Sequence, residues 1–240
     1  MTFIKYQLNE MRVQSIPVFK GKSIFSMPKL ISSGYMPISS SEIMEQRIIA
    51  SNKIDNSDLK KDWLSIPYNS GDSVIYHPEG RIKIVYDSPT LRAVDSYDQL
   101  GNDGSLILDD GYFREVPGPE FSKNEVELYT GCEMKKKDVL NNPIWLASVR
   151  GDKHLFTEYV NMVFSLLPEC DKLMNLFISN QNPNFENEKL LSLGGIGNGF
   201  ALDGSGTSSL NYFAGGYLIG VRKRDYSNIK HKKNLERKLN

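Results

Sequence analysis

Apolar residues recur at two different spacings along the chain, and the change of spacing marks its elements. The strongest helical period runs through Leu155, Phe156, Tyr159, Val160, Val163, Phe164 and Leu167, a wide core-facing stripe closed by Pro168. Asp152 is placed to cap this helix, and Gly151 ends the one before it. There Asn142 is the cap and Pro143 the first helical residue, with Ile144, Trp145 and Val149 turned inward, so helical structure is expected across 136–167. An earlier helix opens at Ser39-Ser40-Ser41-Glu42, which fits a capping box. It carries Ile43, Met44 and Ile48 on one side and ends near Ser51-Asn52. A short helix over 58–64 follows, with Leu59, Trp63 and Leu64 sharing a face.

Period-two alternation marks the strands. Residues 72–77 predict one strand, Pro78-Glu79-Gly80 a turn, and residues 81–86 its return. In the return strand Ile82 and Ile84 alternate with Arg81, Lys83 and Val85, which predicts one buried face. A β segment over 105–108 follows the Asn102-Asp103-Gly104 turn. Asp109-Asp110-Gly111 leading into Tyr112-Phe113-Arg114 suggests a second hairpin. Residues 1–36 read as an extended arm, because Pro17, Pro28 and Gly34 interrupt them and Ile16, Val18, Phe19, Ile24 and Phe25 lack helical spacing. Strands are expected at 173–178, 189–193, 200–202 and 210–221, and loops at 168–172 and 179–188. Nine of the chain's 19 glycines fall between Gly194 and Gly220.

These elements predict an α+β fold: antiparallel β hairpins in a sheet packed with a few amphipathic helices, and a Gly-rich β section toward the C-terminal end. The expected organisation is an arm (1–36), an α+β body (37–170), the Gly-rich section (171–222) in the same domain, and a basic tail (223–240). The 240 residues are 40% hydrophobic and 24% charged, enough apolar surface for a sizeable core and too much for a mostly disordered chain. The first residues lack an uninterrupted apolar core and a small-residue cleavage site, so no secretory signal is expected. The longest apolar stretch, 212–221, is half of the roughly 20 residues a bilayer needs and contains Gly215 and Gly216, so no membrane span is expected. With only two cysteines, Cys132 and Cys170, a reducing, cytoplasmic compartment is the expectation. The net charge of zero is unevenly spread: +4 over 1–36, −10 over 37–220 and +6 over 221–240.

No diagnostic catalytic, cofactor or nucleic-acid motif stands out, and no cofactor is expected. Gly194-Gly195-Ile-Gly197-Asn-Gly199 does not open a helix and lacks Gly-Lys-Ser/Thr, so it reads as tight turns rather than a phosphate cradle. The segment from Gln99 to Asp110 places Asp103 and Asp110 at two positions of a calcium loop but puts Gln99 and Gly101 where carboxylates belong. His154 and Glu158 stand four apart on a helix, the spacing of a solvated contact or half a metal site. Cys132 or Cys170 with His77 would form a nucleophile pair only if the fold joined them. Three functional readings follow. The leading one is a non-enzymatic binding or assembly protein, with another protein or a second copy as partner. The runner-up is a small metal-dependent hydrolase using His77 with Asp109 and Asp110. The third is nucleic-acid association through Arg222, Lys223, Arg224, Lys230, Lys232 and Lys233, with Tyr226 available to stack.

Three stretches resemble pieces of uncharacterised archaeal proteins. They are His77-Pro-Glu-Gly-Arg-Ile-Lys-Ile-Val-Tyr86, Asn142-Pro-Ile-Trp-Leu-Ala147 with Leu155-Phe-Thr-Glu-Tyr-Val160, and Gly216-Tyr-Leu-Ile-Gly-Val221. The resemblance covers much of 37–222. It implies an archaeal-type cytoplasmic protein and carries over no activity and no functional residues.

Overall fold

A computed structural model describes residues 2–9, 12–53, 57–167, 173–178, 184–196, 203–208 and 217–222. The chain opens with strands β1 (Thr2–Asn9) and β2 (Arg12–Lys20), helix α1 (Ser23–Ser32) and strand β3 (Tyr35–Pro37). Helices α2 (Ser40–Lys53) and α3 (Ser57–Ser65) lead into the long strand β4 (Tyr68–Tyr76) and its partner β5 (Ile82–Val85). A loop-rich excursion follows: α4 (Pro89–Ala93), a 3-10 turn at Tyr97–Gln99, β6 (Leu106–Ile107), α5 (Tyr112–Glu115), β7 (Glu120–Phe121), α6 (Lys123–Tyr129) and β8 (Glu133–Met134). Helices α7 (Lys136–Leu140), α8 (Pro143–Ser148) and α9 (Lys153–Leu166) precede the last strands, β9 (Met174–Phe177), β10 (Asn187–Leu193), β11 (Asp203–Ser208) and β12 (Tyr217–Arg222).

The protein is α+β. Its sheet runs in the order β1-β2-β12-β4-β10-β11-β9-β8, with β3, β5, β6 and β7 joined at its margins. The expected antiparallel sheet is instead mixed, since β12 runs parallel to β4 and β11 parallel to β9. Both parallel pairs join strands separated by intervening structure, as parallel neighbours require. Most of the glycine-rich stretch, including 197–202 and 209–216, and the tail from 223 lie outside the described residues.

Local signals act as the pattern predicts at several places. The Ser39 amide donates to Glu42 Oε2 (2.9 Å) and the Glu42 amide to the Ser39 hydroxyl (3.3 Å), closing the capping box of α2. Asn142 accepts from the Ile144 and Trp145 amides, with Pro143 next in line, and Asp152 accepts from the Leu155 amide. The turn after β4 closes through the His77 amide to the Arg81 carbonyl (2.9 Å), with Gly80 at φ 81°.

Elsewhere tertiary packing overrides the local reading. Residues 2–36 hold a hairpin and a helix rather than only an extended arm. Pro28 sits inside α1 and lacks one backbone donor, yet Ile24, Met27 and Leu30 of this helix are buried in a core shared with Leu91, Leu190 and Leu218. Tyr112-Phe113-Arg114 forms α5, not a hairpin strand, and buries Phe113 against Ile75 and Val85. All four residues of β5 are buried, so Lys83 and Val85 do not face solvent.

The sheet is covered on both sides. One face carries Val74, Ile84 and Leu191 against Ile43 of α2 and Phe156 and Val160 of α9. The other is covered by α1, α4 and α5. Several charged groups between these layers find partners within the fold, whereas the buried Asn175 side-chain amide of β9 and Asn187 Oδ1 of β10 accept or donate no side-chain hydrogen bond among the described residues. Asp72 is fully buried on β4. Its Oδ2 accepts from the Ser40 amide (2.8 Å) and hydroxyl (2.6 Å), and its Oδ1 from the Asp87 amide (2.9 Å) and Arg150 Nη2 (3.1 Å). Arg150 also reaches Asp87 Oδ2 (3.1 Å). Asp87 and Arg150 have φ of 53° and 59°, strained for side chains of this kind and held by the shared carboxylate. Arg47 is equally buried. It donates to the Trp63 and Ile66 carbonyls (3.1 and 3.0 Å) and to the Tyr159 hydroxyl (2.9 Å), fastening α2 to α9.

Asp72→Ala removes the acceptor of three backbone or hydroxyl donors, the Ser40 amide and hydroxyl and the Asp87 amide, and one of the two carboxylates that Arg150 meets. It is expected to lower the unfolding free energy by about 3–5 kcal/mol in urea denaturation followed by circular dichroism.

Candidate functional site

His77 follows β4 and is mostly covered. Its ring centroid lies 5.1 Å from that of Phe113, its Nδ1 accepts the Glu79 amide (3.2 Å), and its Nε2 is 3.9 Å from Glu186 Oε1. Glu186 is buried and its other oxygen accepts the Phe113 amide at 2.7 Å. Phe113 is also approached by two cations. The Arg81 guanidinium stands 5.1 Å and the Lys83 ammonium 4.7 Å from its ring centroid. Lys83 donates to the Phe113 and Val116 carbonyls and sits 3.7 Å from Glu120, which also pairs with Arg81. The imidazole predicted to work with Asp109 and Asp110 is thus placed beside Glu186 and an aromatic ring. Asp109 and Asp110 are exposed in the turn before α5, where the Asp109 carbonyl accepts the Tyr112 amide (3.1 Å).

Asp103 receives a cation from within the chain. Its Oδ2 lies 2.9 Å from Lys189 Nζ, and its Oδ1 accepts the Ser105 amide (3.1 Å) and hydroxyl (2.6 Å). Partial burial pushes this carboxyl up, but the Ser105 donors and the Lys189 ammonium outweigh it and hold it below the ordinary aspartate value. Among the described residues no group of three or more His, Cys, Asp or Glu side chains is arranged to hold a metal ion. His154 and Glu158 are exposed on α9, and Cys132 is an exposed free thiol. Arg222 ends β12, while Lys223, Arg224, Lys230, Lys232 and Lys233, with Cys170, lie outside the described residues.

Glu186 and Glu188, absent from the candidates above, fall where the pattern predicts a loop giving way to a strand. The alternation Glu186-Asn-Glu188-Lys-Leu190 was the available signal, because period two puts Glu186, Glu188 and Leu190 on one side of β10. Glu188 is fully buried and accepts from three hydroxyls: Ser73, Ser88 (2.6 Å) and Thr90. Burial raises its carboxyl above the ordinary glutamate value in spite of these three donors.

Seven Asp, Glu, Lys and Arg side chains are buried among the described residues, and each is matched within the fold: Glu42, Arg47, Asp72, Lys83, Glu186, Glu188 and Lys189. A different kind of feature lies on the surface over α1. Phe25 and Tyr97 are 51% and 42% exposed, far more than aromatic side chains usually are, and meet edge to face at 5.1 Å. Lys22 Nζ stands 5.6 Å from the Tyr97 ring centroid. Lys22, Phe25 and Lys29 recur at helical spacing, so they share one side of α1. Exposed Asp95 and Asp98 flank Tyr97, which makes the patch aromatic with charges of both signs at its rim.

No family model matches the chain, and no curated protein matches it. The solved structures place the architecture. A chain described under the words "Accommodation of massive sequence variation in Nanoarchaeota by the C-type lectin fold" superposes with a TM-score of 0.62. It is 13% identical and the match covers 90% of this chain and all of that one. The likeness is one of fold alone, the fold that those words name for the neighbour.

Replacing Lys189 with Met removes the ammonium beside Asp103. The Asp103 carboxyl is then expected to titrate at higher pH than in the parent, read from its side-chain carbonyl resonance by NMR.

Proposed function

We propose that this protein is a non-catalytic binding or assembly protein that meets a protein partner, or a second copy of itself, at the Lys22–Phe25–Tyr97 surface. One observation carries the reading: the seven buried Asp, Glu, Lys and Arg side chains are all matched within the fold, whereas large aromatic rings are left at the surface. Buried acids and bases saturated by internal donors and acceptors build a frame; they are not poised toward a reacting atom. Exposed rings beside lysines are the composition from which interface hot spots are made.

The structural neighbour supports the same division of labour. That protein is described as accommodating massive sequence variation by the C-type lectin fold. A frame whose stability resides in interior pairs leaves its surface free to vary in what it contacts. An archaeal, cytoplasmic setting belongs to this reading, supported by the neighbour's origin in Nanoarchaeota and by the scarcity of cysteine.

The test combines sedimentation velocity over a concentration series with affinity capture from an archaeal extract, for the parent and for Phe25→Ala with Tyr97→Ala. A complex or self-association is expected in the parent and at least about tenfold weakening in the double variant, with an unchanged melting temperature. A parent that stays monomeric and captures nothing, or a double variant that binds like the parent, overturns the proposal.

A further inference from the structure

Glu188 differs from the other buried acids. Asp72 has Arg150, Glu186 has the Phe113 amide and His77, and Glu42 has the Ser39 amide beside its hydroxyl. Glu188 has only hydroxyls, and no ammonium, guanidinium or imidazole pairs with it among the described residues. Its position on β10 lies opposite Ile75 of β4, within the layer between sheet and loops. The groups around it are few. Strand β4 contributes Ser73, the start of α4 contributes Ser88 and Thr90, and α5 contributes Tyr112, whose phenol lies near Thr90. The charged neighbours are turned to other partners: Glu186 to Phe113, Lys83 of β5 to the Phe113 and Val116 carbonyls, and Arg92 of α4 to the Ser88 carbonyl (3.2 Å).

Two of these hydroxyls belong to a helix start. The Ser88 hydroxyl accepts the Leu91 amide (3.2 Å) as the cap of α4 and donates to Glu188, so the cap and the carboxyl are a single joint. The Ser88 and Thr90 hydroxyls are 2.9 Å apart and either can be the donor. The network therefore accommodates a charged carboxylate, with all hydroxyls donating, or a neutral carboxyl, with one hydroxyl accepting and passing its own proton along. The two states differ in cost. An uncompensated negative charge at a fully buried position is expensive, and a neutral carboxyl is not. From α4 the chain runs directly to Tyr97, and Leu91 and Val94 pack in the same core as Ile24 and Met27 of α1.

We infer that Glu188 is a pH-sensitive fastening that holds α4 and the following turn against the sheet, and with them the Phe25–Tyr97 surface. As a regulator of that surface it rests on the binding reading above. Because burial raises the carboxyl in the folded chain, its contribution is fully present below the ordinary glutamate range. It is lost as pH rises through the higher folded value.

Hydrogen exchange of the protein alone tests this, so its outcome is separate from that of the partner-binding test. Amide protection of residues 88–99, corrected for intrinsic exchange, is followed from about pH 5 to 9. The parent is expected to lose protection there as pH rises, about tenfold for each pKa unit of displacement, while α9 holds its protection. Glu188→Gln is expected to abolish the pH dependence. Thr90→Val keeps the carboxyl but removes one donor to its charged form, and is expected to move the midpoint to higher pH. It serves as the test should Glu188→Gln not fold. A flat parent profile, a parallel loss in α9, an unchanged profile in Glu188→Gln, or an unmoved midpoint in Thr90→Val overturns the inference.

Discussion

Strand β4 is buried at all nine of its residues, and most of the structure answers to that constraint. Helices α2 and α9 cover one side of it and α1 with short, loop-borne elements the other, yet its sequence is not uniformly apolar: Asn69, Ser70, Asp72 and Ser73 lie among its apolar residues. A polar group in that position has no water to turn to. Asp72 therefore draws in the N-terminus of α2, the turn after β5 and the connection between α8 and α9, and Ser73 reaches across to Glu188 on β10. Each bond satisfies a buried group and also fixes where a distant segment sits.

The same logic explains how a fold persists at 13% identity over nearly the whole chain. An interior of matched pairs and apolar contacts can be rebuilt with other residues provided each buried group keeps a partner. The surface has no such obligation. Here it carries an edge-to-face aromatic pair with lysines on the same side, held up by a helix and a turn whose own anchor is a buried carboxyl. Frame and surface are thus joined at α4.

Much of this was legible where the signal is local. The capping box at Ser39 and Glu42, the caps at Asn142 and Asp152 and the Pro78-Glu79-Gly80 turn involve residues within three or four positions of one another, and each forms as its pattern requires. Misreadings occur where the deciding partner is remote. Lys83 alternates as an exposed strand residue would, but Phe113 and Val116 lie over it. Tyr112-Phe113-Arg114 resembles a strand by residue type and forms a helix because Phe113 is needed against Ile75 and Val85. Asp103 resembles part of a cation loop until Lys189 arrives from a strand far along the chain.

The amino-acid sequence by itself determined the α+β class, the positions of the main helices and the central hairpin, because periodicity and capping act over a single turn or a strand pair. Only the tertiary structure decided the strand order with its parallel pairs, the burial of both sheet faces, and the company kept by His77, Asp103 and Glu188. Those depend on contacts across scores of residues, where a side chain's charge and environment are set by whatever the fold brings beside it.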